Sequence, residues 1–221
     1  MIYITGGLHG EFDRFTKTGI KKLKKGDTLI VCGDFGFVWN GSKEEKKLLE
    51  KIGKRKFNTL FVPGCHDNYD LLKEYPEEEW CGGKTRVVSG RLRQLCRGEI
   101  YTLEGKTFFA FGGGESTDEA FAGGQWWPDE QPTEEEEAYA LANLEKWGNK
   151  VDYVISHDAP VTIREFLNAA SGDVNSRINT FLERVNRTVP FTRWFFGKLH
   201  QDRVITGRHT AVYLKVVPVE E

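Results

Sequence analysis

Apolar positions fall in short runs along the chain, separated by polar stretches rich in Gly, Asp and Lys. "IYIT" (2–5), "TLIVC" (28–32) and "TLFV" (59–62) are apolar at nearly every position, as in strands buried on both faces. Between the first two, Phe12, Phe15, Ile20 and Leu23 keep roughly one helical face. Between the second and third, "SKEEKKLLEKIGKRK" (42–56) opens on Ser42 with Glu45 three residues on, the spacing of a capping box. The opening therefore reads βαβαβ, and parallel pairing is its simplest topology.

After residue 80 the rhythm changes. "TRVV", "RLRQL", "EIYTL" and "KTFFAFG" follow one another with Gly-containing turns and no helix, so antiparallel strands are expected there. Residues 112–132, "GGGESTDEAFAGGQWWPDEQP", form a long loop of the kind that serves as a lid or binding loop. Thr133, with Glu136 three on, caps a helix that runs to Trp147 and stops at Gly148. Then come "VDYVIS" (151–156), helical stretches over about 161–188, "RWFFG" (193–197), "RVIT" and "TAVYLKVV". With no repeat or linker in sight, residues 1–221 read as one domain, two halves packed sheet to sheet.

Composition narrows the class. The 221 residues are 39% hydrophobic and 29% charged, a soluble globular balance able to bury one sizeable core. No run of about 18 apolar residues occurs, so no membrane span is expected. The start reads as an immediate strand, not as a basic head with an apolar body. The cysteines at 32, 65, 81 and 96 form no CxxC pair, and a cytoplasmic setting with reduced thiols is expected. A formal net charge of −2 argues against general nucleic-acid binding. "KKLKK" (21–25) and "EEEE" (134–137) read as solvated helix faces.

Chemistry gathers just past the apolar runs. His9 follows the first, Asp34 the second, and Cys65, His66 and Asp67 the third; His157 and Asp158 follow "YVIS", and Lys198 and His200 follow "WFFG". In parallel sheets the carboxyl ends of strands share one edge, where sites form. Four of the five histidines lie past such ends; His209, on a late turn, reads as plain surface. Imidazole with carboxylate is the ligand set of divalent transition metals, so a metal site is expected from the residues alone.

In order and spacing, "GLHGEFDRF", "GDFG", "GCHDN", "SHDAP" and "GKLHQD" resemble the five motifs of calcineurin-like metallophosphoesterases: DxH, GD, GNH(D/E), a lone His, and GHxH. The resemblance implies an α/β fold, a four-layer αββα sandwich, and hydrolysis of phosphate mono- or diesters by metal-activated water. It implies two divalent metals (Mn, Fe or Zn) bridged by Asp34, with His9 and His200 on the first and His157 on the second. His66 and Asp67 match the pair that contacts phosphate and helps protonate the leaving group. The implied substrate is a phosphoester small molecule or nucleotide.

Three positions depart from that pattern. Gly7 stands where the family has Asp, Cys65 where it has Asn, and Lys198 where it has His. An Asp34 carboxylate, a Lys198 ammonium, a neutral Cys65 and one divalent metal total about +2, as do two carboxylates with two metals. Lys198 thus reads as a stand-in for the second metal, a point charge for a phosphate oxygen, and one metal (at most two) is expected. Cys65 has three readings: a filler left by a decayed second site, a soft ligand with Asp34 and His157, or a nucleophile. Beside an ammonium its thiol is expected to have a lowered pKa. The rival to an enzyme with a degenerate site is an inactive module that binds a phosphorylated ligand, nucleotide or protein partner through the same cleft. Weaker signals are the evenly spaced Arg91, Arg93 and Arg97, on a solvent face or at a substrate phosphate, and Trp126 and Trp127, on a base or over the core.

Overall fold

The central strands are apolar throughout because each one faces two cores. A computed structural model of the protein describes residues 1–116, 126–167 and 175–220. Strands β1 (Ile2–Thr5), β2 (Thr28–Cys32) and β3 (Asn58–Val62) pair in parallel, as their two-sided burial predicts. The same sheet continues through β6 (Leu92–Leu95), parallel to β3, to the antiparallel β5 (Gly83–Ser89) and β4 (Glu77–Trp80). At its other edge lies β13 (Val217–Pro218). A second sheet runs β11 (Arg203–Val204), β12 (His209–Ala211), β10 (Arg193–Phe196), β9 (Tyr153–Ser156), β8 (Lys106–Phe111), β7 (Glu99–Leu103), with β8, β9, β10 and β12 parallel.

Alternate residues of one strand enter different cores. Ile30 and Cys32 of β2 and Leu60 and Val62 of β3 meet Phe108, Ala110, Tyr153, Ile155 and Phe195 between the sheets. Leu29, Val31 and Phe61 face the other way, onto Phe15 of α1 (Arg14–Lys17), Leu49 and Ile52 of α2 (Lys43–Gly53) and Leu72 of α3 (Tyr69–Glu74). Phe109, Phe111, Val154, Trp194 and Phe196 pack on α4 (Glu134–Lys146), α5 (Val161–Phe166) and α6 (Arg177–Thr188). Three cores separate four layers, the expected αββα sandwich. No helix among the described residues is long and apolar enough to cross a membrane.

Local signals place most helix ends. Thr133 Oγ1 accepts the Glu136 N–H while Glu136 accepts the Thr133 N–H, a complete capping box. Ser42 caps α2 through the Glu45 N–H, but the buried Glu45 carboxylate turns to the N–H groups of Trp39, Asn40 and Gly41 at 2.8–3.1 Å. The antiparallel pairs expected in the middle of the chain are β5–β6 and β7–β8, yet the chain changes sheets between them. Tyr101 ties that crossing, accepting the Cys96 N–H at 2.9 Å and donating to the Lys84 carbonyl at 2.5 Å.

Strand β4 is unforeseen because its three glutamates have low strand propensity; it is an exposed edge, where charge discourages further pairing. The extended stretch expected at "TAVYLKVV" is broken because Asp202 accepts the N–H groups of Tyr213, Leu214 and Lys215, folding them into a turn. Of the loop at 112–132, residues 117–125 lie outside the described residues.

His209 is not surface. It is 4% exposed, stacks on Trp194, and bonds Thr206 Oγ1 and Asn186 Oδ1 at 2.9 and 3.0 Å. Burial, aided by Arg208, lowers its pKa from 6.5 to about 4. The unfolded chain therefore takes up a proton that the folded chain refuses as pH falls from 6.5 towards 4, and stability falls across that window. Chemical denaturation at pH 7 and pH 4.5 is expected to show a smaller acid loss in His209→Gln than in the wild type.

Candidate metal centre and active site

The carboxyl ends of β1–β3 and of β8–β10 abut so closely that side chains are excluded between them. A Cβ on Gly33 would fall on the His157 ring, and one on Gly197 on the Cys32 carbonyl. Loops from two sheets thus converge on one edge, as expected from the strand ends. Leu8 and His9 donate their N–H groups to the Asp34 carbonyl at 2.9 Å, locking the first two loops together.

His9, Asp34 and His200 bring ligating atoms within 4.8 Å of one another. His9 Nε2 lies 3.2 Å from His200 Nε2 and 3.9 Å from Asp34 Oδ2. All three residues adopt left-handed backbone, at φ 48°, 47° and 49°, a conformation costly for side chains of this size and concentrated at functional sites. Burial lowers the His9 pKa and keeps its ring neutral, the ligating form. Burial alone would raise the Asp34 carboxyl; His157, the His66 N–H at 2.8 Å and His9 overcome it and hold Asp34 below its ordinary value. The His200 ring stacks on Tyr213 at 4.7 Å. Two imidazole nitrogens and a carboxylate oxygen suit a divalent transition metal.

Gly7 shapes this pocket by having no side chain. A Cβ there would lie 2.9 Å from both Asp34 Cβ and His9 Nε2, so the His9 ring fills space that an Asp at position 7 would claim. Arg14, which the sequence reading passed over, is 5% exposed and holds the Gly7 carbonyl, Thr5 Oγ1 and the Tyr213 carbonyl. An arginine heading a short helix carries no local signal of that role.

The opposite side of Asp34 is built differently. His157 is buried, with Nε2 3.4 Å from Asp34 Oδ1 and no hydrogen-bond partner, and burial lowers its pKa. Lys198 Nζ reaches Cys65 Sγ at 3.2 Å and donates to the Glu115 carbonyl at 2.5 Å. The loop at Gly114 packs over the thiol, close enough that a Cβ would lie 2.6 Å from Sγ. The expected lowering of the Cys65 pKa does not occur: burial raises it to about 12, outweighing Lys198. Burial disfavours the ammonium, while Cys65, Asp158 and Asp34 favour it; the net shift is upward, so Lys198 stays charged. A thiol and an ammonium do not fit a second metal, whereas the first group of residues fits one.

His66 and Asp67 separate in role. His66 is exposed, its Nδ1 3.9 Å from Asp34 Oδ2. Asp67, expected beside the phosphate, is instead fully buried and accepts the N–H groups of Phe35, Gly36 and Gly64 at 3.2, 2.8 and 2.9 Å. Burial raises it to about 8 against those donors. It joins the β2 and β3 loops and touches no solvent.

The arginines also turn away from the site. Arg93 pairs with Glu78, and Arg97 binds Glu136 and the carbonyls of Gly112 and Asp129. Trp127 lies half-buried, edge-on to Trp39 at 5.4 Å, with Nε1 donating to Asp70.

A four-layer sandwich brings imidazoles and one carboxylate together at the joined strand ends, and three of these residues could hold a metal ion. Residues 1–201 match the family model of calcineurin-like phosphoesterases, and the chain belongs to that family, whose members are hydrolases acting on phosphoester bonds and generally use divalent metals. It is similar to the lariat debranching enzymes of Drosophila melanogaster and Drosophila pseudoobscura pseudoobscura, each 25% identical over 236 residues. The match covers 90% of this chain and 42% of each relative, so the chain spans less than half the length of these curated proteins.

Proposed function

We propose that the protein hydrolyses phosphate mono- or diesters at a centre holding one divalent metal, with Lys198 in the place of a second cation. The observation that carries this reading is the Lys198 ammonium, fixed between Cys65 Sγ and the Glu115 carbonyl on the far side of Asp34 from His9 and His200.

His9, Asp34 and His200 would hold the metal, and His157 presents its free Nε2 to the same carboxylate. A bound metal supplies Lewis-acid polarisation of the phosphoryl group and a nucleophile at neutral pH. The chain supplies the rest. Lys198 meets a phosphoryl oxygen as a point charge, and the exposed His66 protonates the leaving oxygen. Asp67 works at one remove, holding the loops that carry Asp34 and His66. Cys65 is a filler that hydrogen-bonds the ammonium.

Elemental analysis of purified protein is expected to find at most about one divalent metal per chain, with hydrolysis of an aryl phosphodiester restored by Mn, Fe or Zn after chelation. Two tightly held metals per chain would overturn the role given to Lys198. One metal with no phosphoester turned over would favour the inactive binding module.

A further inference from the structure

A cleft of about 410 Å³ opens from His9 and His66 and runs along the loop that leads into α2. Phe37, Trp39 and Leu48 line it with Asn40 and Glu44; Glu45 is its other acidic residue, and no Lys or Arg among the described residues lines it. We infer that this cleft is the leaving-group subsite and that it takes a flat, uncharged group bearing hydrogen-bond donors, the base of a nucleoside, in preference to an anionic group. The inference rests on the phosphoesterase reading above, because His66 belongs both to the reacting centre and to the cleft wall.

Three observations carry it. The first is the aromatic platform. The Trp39 ring stacks with the His66 ring, within 23° of parallel and with centroids 6.1 Å apart, so the cleft holds an aromatic face oriented beside the reacting centre. Trp127, packed edge-on against Trp39 and anchored to Asp70, limits how far that ring can turn.

The second is preorganisation. The backbone carrying Trp39 is tied by the Glu45 carboxylate, which takes the N–H groups of residues 39, 40 and 41, and by Asn68 Nδ2, which donates to the Trp39 carbonyl at 2.8 Å. A stacking ring held this way loses little freedom when a ligand arrives.

The third is charge. Glu45 spends its oxygens on backbone N–H groups, which leaves the exposed Glu44 as the carboxylate available to accept the N–H groups of a base edge. With two acids and no Lys or Arg among its described lining residues, the cleft disfavours a leaving group that carries a further phosphate.

Calorimetric titration with adenosine, a probe that lacks phosphate, tests the subsite apart from catalysis. Adenosine is expected to bind the wild type, to bind Trp39→Ala roughly ten-fold or more weakly, and to regain most of that affinity in Trp39→Phe. Among phosphodiesters, one releasing adenosine is expected to exceed in kcat/KM both one releasing methanol and one releasing adenosine with an added phosphate. Glu44→Lys, at an exposed helical position, is expected to raise the last of these. The subsite is overturned if adenosine binds Trp39→Ala and wild type alike, if it fails to bind a wild type that hydrolyses diesters, or if Glu44→Lys leaves the preference unchanged. Adenosine binding that depends on Trp39, in a protein that hydrolyses nothing, would keep the subsite and overturn the phosphoesterase reading instead.

Discussion

Asp34→Ala is expected to lose divalent-metal binding and phosphoester hydrolysis together. Asp34 supplies the one carboxylate of the His9, Asp34, His200 group, and with it the anionic charge that offsets a cation there. The His157 ring beside it is neutral, and Asp67, the nearby acid, is fully buried against backbone donors. Nothing else in that group can supply the charge. The affinity loss should exceed the 10–100-fold typical of removing only a residue that orients a ligand.

Alanine at this position also bears the left-handed backbone at φ 47° and drops the acceptor of the His66 N–H. Asp34→Asn separates these effects, since Asn tolerates that backbone and keeps an oxygen for the N–H while removing the charge. Metal titration of both variants, with folding checked by circular dichroism, decides the matter. Full metal affinity in Asp34→Asn would mean that the carboxylate is not the anchoring ligand.

Lys198→Met is expected to cut kcat/KM by about 100-fold or more while leaving the first metal bound, the scale seen when one preorganised charge or donor facing a transition state is removed. Met preserves much of the buried stem and deletes the ammonium with its bonds to Cys65 Sγ and the Glu115 carbonyl. Because the folded-state pKa of Lys198 is raised above 10.5, the charge is present throughout the neutral range; any stability it contributes is lost only as pH rises through that raised value. A fall in activity on the alkaline side below about pH 10 must therefore come from another group. Hydrolysis unaltered in Lys198→Met would remove the ammonium from the mechanism. A second metal appearing in the variant, with activity restored, would instead support the exchange of ammonium for cation.

The positions of these residues along the chain were legible because they obey local rules. A polar side chain that follows a buried strand is announced by the apolar run before it, and His9, Asp34, His66, His157 and Lys198 all sit past such runs. Thr133 and Ser42 mark helix starts because a capping hydroxyl acts only on the next turn. The burial of Asp67 has a cause that no local pattern contains: its neighbour His66 faces solvent while its own carboxylate turns inward to three N–H groups from two loops. His209 likewise looks like a turn residue until Trp194 and Asn186 close around it.

By itself the sequence determined the two-sided strands, most of the helix caps, the order of the motifs and the three departures at Gly7, Cys65 and Lys198, since each depends on residue type and short spacing. The tertiary structure alone decided the surroundings of those departures. It set Lys198 against Cys65, 133 positions apart in the chain, and laid the Gly114 backbone over the thiol. Desolvation there keeps the sulfur protonated, against what a neighbouring ammonium suggests, because burial depends on everything packed around a group and not on its neighbours in the chain. Pairing of β1, β2 and β3 in one sheet likewise fitted the His9 ring into the space beside Gly7 and opened the cleft under Trp39, both made by loops that meet only once those strands lie side by side.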